Sequence, residues 1–147
     1  MSNFVFYDFE TSSSNKYWGQ IIQIGAILTN ENMEELDRFD ARCRLSPGII
    51  PEAMALIVNK SSPKMLKTAN LSHYEMIRQF VETLKRWGKA TYVGFNSIEF
   101  DEEFLRCTLF QTFGAFLEII LATPRVAITS PMALCASPCS IPFNGAI

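Results

Sequence analysis

Two carboxylates at the end of an otherwise apolar run constrain this chain more than any other feature. The run is Phe4-Val5-Phe6-Tyr7-Asp8-Phe9-Glu10-Thr11. Side chains alternate faces along a strand, so Asp8 and Glu10 point one way, beyond Phe4 and Phe6, while Val5, Tyr7 and Phe9 point the other. Burying an ionised carboxylate among aromatics is costly, and a neighbouring like charge raises that cost. A bound cation relieves both problems. The pair therefore reads as part of a metal site, although an acidic strand end on a surface hairpin would leave the same trace.

The rest of the composition narrows the setting. A chain of 147 residues forms one domain with room for a sizeable core, and 48% hydrophobic with 12% aromatic residues excludes a disordered polymer. A formal charge of −2 argues against a broad electrostatic footprint on nucleic acid, so any polyanion would need local positive charge and metal ions to approach. Lys60, Lys64 and Lys67 make the nearest thing to a basic patch and read as a solvated loop. Cys43, Cys107, Cys135 and Cys139 show no metal-ligand spacing, and reduced thiols in a cytoplasmic protein are the expectation. No secretory signal opens the sequence. The apolar stretch 113–128 holds Glu118, Pro124 and Arg125 and is too short to span a bilayer, so no membrane partner is expected.

The pattern predicts strand, strand, strand, helical loop, helix, strand, helix. The strands fall at 3–10, 20–29, about 33–45 and 92–95, with Gly25 and Ala26 marking a place of close packing. Ser46-Pro47-Gly48 ends the third strand as a turn, and a short helix is expected from Glu52 to Val58. Ser72 and Glu75 form a capping box for the next helix, with Leu71 and Met76 as its hydrophobic staple. Tyr74, Ile77, Val81, Leu84 and Trp87 recur at helical spacing as a core stripe until Gly88 stops them. The last helix runs from Ser97 to about Thr112. A helical crossover makes the fourth strand parallel to the first, giving a mixed α/β sheet with flanking helices and a site at the strand ends.

A second acidic cluster begins that last helix, in Asn96-Ser97-Ile98-Glu99-Phe100-Asp101-Glu102-Glu103-Phe104. Asp101 is expected about one turn in, and Asn96 sits at the strand-to-helix junction, where its side chain can cap amides or position a ligand. Acids in a first turn also suit the helix dipole without any ligand. Three acids from two separated elements nevertheless make a carboxylate cage of the kind that Mg²⁺ or Mn²⁺ favours.

Here the sequence resembles the N-terminal exonuclease domain of bacterial exonuclease I, in the DEDD superfamily of 3′→5′ exonucleases, whose fold is RNase H-like. The resemblance covers 1 to about 113. It rests on Asp8-Phe9-Glu10-Thr11, on Gln23-Ile24-Gly25-Ala26 and on Asn96-x-x-x-Phe100-Asp101, supported by 47–66 and Leu71-Ser72-His73-Tyr74-Glu75. It implies that Asp8, Glu10 and Asp101 ligate two catalytic Mg²⁺ or Mn²⁺ ions. It also implies that Thr11 lies near the 3′-terminal nucleotide and that Asn96 helps shape its pocket. The implied activity is stepwise removal of nucleotides from the 3′ end of single-stranded DNA. A non-catalytic remnant that binds metal or nucleic acid is the alternative.

The chain departs from the family at its third motif, a histidine with an aspartate five residues later, which supply the general base and a fourth carboxylate. The sole histidine is His73, followed five residues later by Arg78, and it is read as an exposed first-turn residue without a catalytic role. No Tyr-x-x-x-Asp replaces the motif. Of 28 charged residues only Glu118 and Arg125 fall in 114–147, a stretch with four prolines and no sustained periodicity. The expectation is a partial exonuclease domain over 1–113, incomplete at its C-terminal end, followed by an atypical tail from a shifted frame or a truncated product. A divergent tail packing on the sheet is the other reading.

Overall fold

The computed structural model describes residues 3–95, 97, 100–113 and 125–128. Strands β1 (Phe4–Thr11), β2 (Ile21–Thr29) and β3 (Glu35–Arg42) come first. Helices α1 (Ala53–Val58), α2 (Pro63–Thr68) and α3 (His73–Trp87) follow, then β4 (Thr91–Phe95), α4 (Asp101–Phe113) and β5 (Arg125–Ile128). The five strands form one sheet in the order β3-β2-β1-β4-β5. β1 pairs antiparallel with β2 and parallel with β4, as the crossover rule requires, and β5 adds in parallel outside β4. The mixed α/β architecture expected from the sequence is the one observed.

Alternation along β1 sets which face is core. Val5, Tyr7, Phe9 and Thr11 are buried, whereas Asp8 on the opposite face is exposed and Phe4, Phe6 and Glu10 are half-buried. The buried face packs with Ile24, Ala26 and Leu28 of β2 against Met76, Ile77, Phe80, Val81, Leu84 and Trp87 of α3. Phe80 anchors this layer, with its ring edge-on to Phe9 at 5.9 Å and tilted against Phe39 at 5.3 Å. Truncating so fully buried a phenylalanine to alanine costs about 3–5 kcal/mol. Phe104, Leu105 and Leu109 of α4 join the same core.

Local signals hold α3 in place. Ser72 Oγ accepts from the Glu75 amide, the Glu75 carboxylate accepts from the Ser72 amide, and Gly88 ends the helix at φ 69°. Its core stripe is the one expected except for Tyr74, which is exposed while Met76 and Phe80 take the interior. The turn at 46–49 closes through the Ile49 amide donating to the Ser46 carbonyl, with Gly48 at φ 87°. Lys60, Lys64 and Lys67 are solvated, as expected.

Five local expectations need correction. β3 is shorter than 33–45 and leaves Cys43 in an isolated bridge to Leu71, because the chain turns there toward α2. The segment 63–68 is a helix, N-capped by Ser62 and begun by Pro63, where only irregular chain was expected. α4 starts at Asp101, so this residue opens the first turn instead of lying one turn inside. His73 is half-buried with its Nε2 enclosed, not exposed, because the start of α3 is pressed against the core beside Leu71. β5 lies within 114–147, where the sequence carried no strand signal.

Candidate active site

β1 carries Asp8 and Glu10 out of the sheet on the side away from the core, and α4 brings Asp101 to them from 91 positions further along the chain than Glu10. Asp101 is 4% exposed. Burial, then the negative charge of Asp8, then that of Glu10, push its carboxyl up to about 7, with the Phe9 amide pulling the other way. Glu10 is raised by burial and by Asp8, and Arg42 opposes the rise. Asp8 keeps one side open to solvent, yet the protein around its base still raises its pKa against the pull of the Phe9 amide. Three carboxylates thus share one electrostatic neighbourhood.

The sheet register explains the flank of Glu10. Glu10 stands opposite Gln23, and Gln23 stands opposite Arg42, so one polar row crosses β1, β2 and β3. Both Nε and Nη2 of Arg42 donate to Gln23 Oε1, the Nε contact at 3.2 Å. The next row is Asp8, Gly25 and Asp40, in which the glycine leaves open space beside Asp8. Arg42 also lines a groove of about 700 Å³ between β3 and the α2–α3 connection.

Other expected site residues fare differently. Thr11 is buried and its Oγ1 donates to the Ser13 carbonyl at 2.8 Å, which commits the hydroxyl to the turn after β1. Its carbonyl accepts from Asn59 Nδ2 at 2.7 Å, which ties the end of α1 to the end of β1. Asn96 lies outside the described residues. His73, raised by no neighbour and lowered by burial to about 4, stays neutral at the far end of the α3 capping box.

Residues not anticipated from the sequence also frame the site. Glu102, buried beside Asp101, accepts from Tyr7 Oη at 3.5 Å and lies 3.7 Å from Arg106. Lys16, in the loop after β1, pairs with Glu103 in the first turn of α4. Gln23 could have been found from the strand period together with the hairpin register, whereas the Glu102 and Lys16 contacts depend on how α4 docks.

Hard oxygen donors in a mutually repelling set are what a Mg²⁺-like cation favours, so the donor chemistry fits. As placed, no group of three or more His, Cys, Asp or Glu side chains among the described residues encloses a single ion. Among the described residues, no helix is long and apolar enough to cross a membrane.

No family model matches the chain. Its sequence is similar to exodeoxyribonuclease I of Buchnera aphidicola subsp. Baizongia pistaciae, with 23% identity over 111 residues, covering 75% of this chain and 23% of that protein. Its fold matches E. coli exonuclease I in complex with a dT13 oligonucleotide, at TM-score 0.77 and 17% identity over 92% of this chain and 30% of that one. The zinc-bound E. coli exonuclease I complex with single-stranded DNA matches at TM-score 0.77 and 16% identity, with the same coverage. The chain spans less than a third of the length of the proteins it matches. The chain is thus similar in sequence to exodeoxyribonuclease I, and it shares the fold of the matching part of E. coli exonuclease I.

Proposed function

We propose that this chain belongs to a metal-dependent 3′→5′ exodeoxyribonuclease that hydrolyses single-stranded DNA from its 3′ end. The observation that carries the reading is the buried carboxyl of Asp101, held by α4 in the field of Asp8 and Glu10 within an exonuclease I fold. Perturbed carboxyls in one neighbourhood are characteristic of catalytic and metal sites. The solved relatives in complex with dT13 and in zinc-bound form support single-stranded DNA and a divalent cation as ligands.

Asp8, Glu10 and Asp101 would hold Mg²⁺ or Mn²⁺. Such ions would supply positive charge that stabilises the attacking and leaving oxygens of a phosphodiester cleavage. The chain's own part is electrostatic. Without a cation, mutual repulsion and burial favour a proton on Asp101, and cation binding is coupled to its release. Arg42 and Gln23 hold the flank of Glu10. Thr11 contributes its place at the end of β1, beside which the 3′-terminal nucleotide would lie, with Asn96 shaping the pocket.

No residue supplies the family's general base, because the one histidine is enclosed at the start of α3. A positioned base contributes about 10²–10⁴-fold, so turnover is expected to be slower by that factor. The same gap, with no three-donor group around one ion among the described residues, favours a second reading: a module that binds metal and a 3′ end without cleaving. The low charge of 114–147 supports a shifted reading frame there, in which case a His-x-x-x-x-Asp should emerge from another frame of the encoding DNA.

Cleavage of 3′-labelled single strands in Mn²⁺, compared with Asp8→Asn, separates the readings. Loss of cleavage on substitution supports the enzyme. Metal-dependent binding without cleavage in either protein supports the module and overturns the enzyme.

A further inference from the structure

The loop between β1 and β2 displays a tryptophan that the fold does not use. Trp18 is 80% exposed and its neighbour Tyr17 is 60% exposed. Single exposed apolar residues are ordinary on protein surfaces, but a bare indole carries a large apolar area that most chains cover.

This loop is built, not slack. At its base, the Ser12 amide donates to the Gln20 carbonyl at 2.8 Å and the Gln20 amide donates to Ser12 Oγ at 2.9 Å. Buried Gln20 reaches on to the Arg44 carbonyl and the Ser46 amide, both at 2.8 Å. At its tip, Asn15 Oδ1 accepts from the amides of Tyr17 and Trp18, and the Asn15 carbonyl accepts from Gly19 at 2.6 Å. A Cβ on Gly19 would lie 2.5 Å from Ser13 Oγ and 2.6 Å from the Asn15 carbonyl, so only glycine closes the turn.

The loop is also fixed to the candidate site. Lys16 pairs with Glu103, two residues beyond Asp101, and its ammonium sits 5.8 Å from the Tyr17 ring centroid. Gln111 of α4 donates to the Tyr17 carbonyl at 2.9 Å. Trp18 therefore faces solvent on a loop that Lys16 ties to the first turn of α4, close in the fold to Asp101.

We infer that Trp18 is a stacking platform for a nucleobase of a single strand whose 3′ end lies at Asp8, Glu10 and Asp101. The inference rests on the proposed function. Base stacking on an aromatic face suits an enzyme that must accept any sequence, since every base offers a π-face. A preordered aromatic loses little conformational entropy on binding. The chain's net charge of −2 leaves little long-range attraction for a polyanion, which makes an apolar contact at the rim more valuable.

The test is the affinity of the full chain for a dT oligonucleotide carrying one 2-aminopurine, followed by anisotropy in EDTA and again in Ca²⁺, for wild type, Trp18→Ala and Trp18→Phe. The expected result is a loss of roughly 5- to 100-fold in Trp18→Ala, substantial recovery in Trp18→Phe, and quenching of 2-aminopurine that depends on Trp18. The salt dependence should keep its slope, because stacking releases no counterions. Equal affinity of Trp18→Ala and wild type would overturn the platform and leave the proposed function standing. Weakened binding with a changed salt slope and no recovery in Trp18→Phe would also overturn it. Failure of the wild type to bind any single strand in either buffer would overturn both. Trp18 is so exposed that its substitution leaves the core intact, which circular dichroism checks.

Discussion

Asp101 opens α4 with its carboxyl buried in the field of Asp8, and burial together with that field raises it to about 7. An acid whose folded pKa lies above its unfolded value of 3.8 binds more protons when folded, so its contribution to stability declines as pH rises from about 4 to about 7. At pH 8 in a chelator, ionised Asp101 is therefore a net cost. Asp101→Asn should stabilise the metal-free protein by roughly 2–4 kcal/mol at that pH and by much less at pH 4, read from thermal melts. Mg²⁺ or Mn²⁺ should raise the melting temperature of the wild type and not that of Asp101→Asn. A variant that melts at or below the wild-type temperature in chelator at pH 8 would show that Asp101 is stabilised by contacts, not burdened by its charge.

The α3 capping box yields a prediction of a different kind. Ser72 Oγ takes the Glu75 amide at 3.2 Å, and the Glu75 carboxylate takes the Ser72 amide at 2.8 Å. Ser72→Ala removes one bond and loosens the other. It should cost about 0.5–2 kcal/mol in denaturant unfolding with no change in the slope against denaturant. An unchanged midpoint would mean that packing of Met76, Ile77 and Phe80 alone positions the helix.

That capping box shows which parts of the molecule could be read from sequence. Ser72, Glu75 and Gly88 act within one helix, and Asp8 and Glu10 share a face because strands alternate. Such short-range rules gave the order and type of most elements. α2 escaped because its Ser62-Pro63 start sits among lysines and serines that also suit a loop. β5 escaped because a four-residue strand at a sheet edge is specified by its neighbour β4 more than by its own residues. The electrostatic meeting of Asp101 with Asp8 was expected from the two acidic clusters taken together as a metal cage and from the family resemblance, since no local pattern links positions so far apart. The row Glu10, Gln23, Arg42 needed the register of two hairpins, which turns and bulges decide.

His73 should make the protein acid-sensitive. Its Nε2 is enclosed with no hydrogen-bond partner among the described residues, and burial lowers its pKa from 6.5 to about 4. The unfolded chain then binds a proton between these values while the folded chain does not, so stability falls as pH drops from about 6.5 to about 4. Carboxylates titrate in the same window, so the informative quantity is the difference between proteins. His73→Gln should flatten the decline by up to roughly 3 kcal/mol across the window while leaving the cleavage rate in Mn²⁺ unchanged. Identical pH profiles would mean that His73 takes up its proton as readily folded as unfolded. A lost cleavage rate would instead assign the imidazole a part in the reaction.

Gly94 links the fold to the site through space. It is buried in β4, and a Cβ there would lie 2.5 Å from Ser97 Cβ and 3.4 Å from Tyr7 Cζ. Ser97 is buried in turn, and its carbonyl accepts from the Glu102 amide at 2.8 Å, beside Asp101. A methyl at Gly94 must therefore push the chain that leads into α4. Gly94→Ala should destabilise by about 1–3 kcal/mol, as overpacking does. It should also weaken Mn²⁺ binding, because the displaced segment carries Asp101. Ser97→Gly in the same chain removes the Ser97 side-chain atoms that meet the new methyl, so the double variant should regain part of both losses. Additive losses in the double variant would mean that the methyl acts elsewhere, with Tyr7 the next atom in its way.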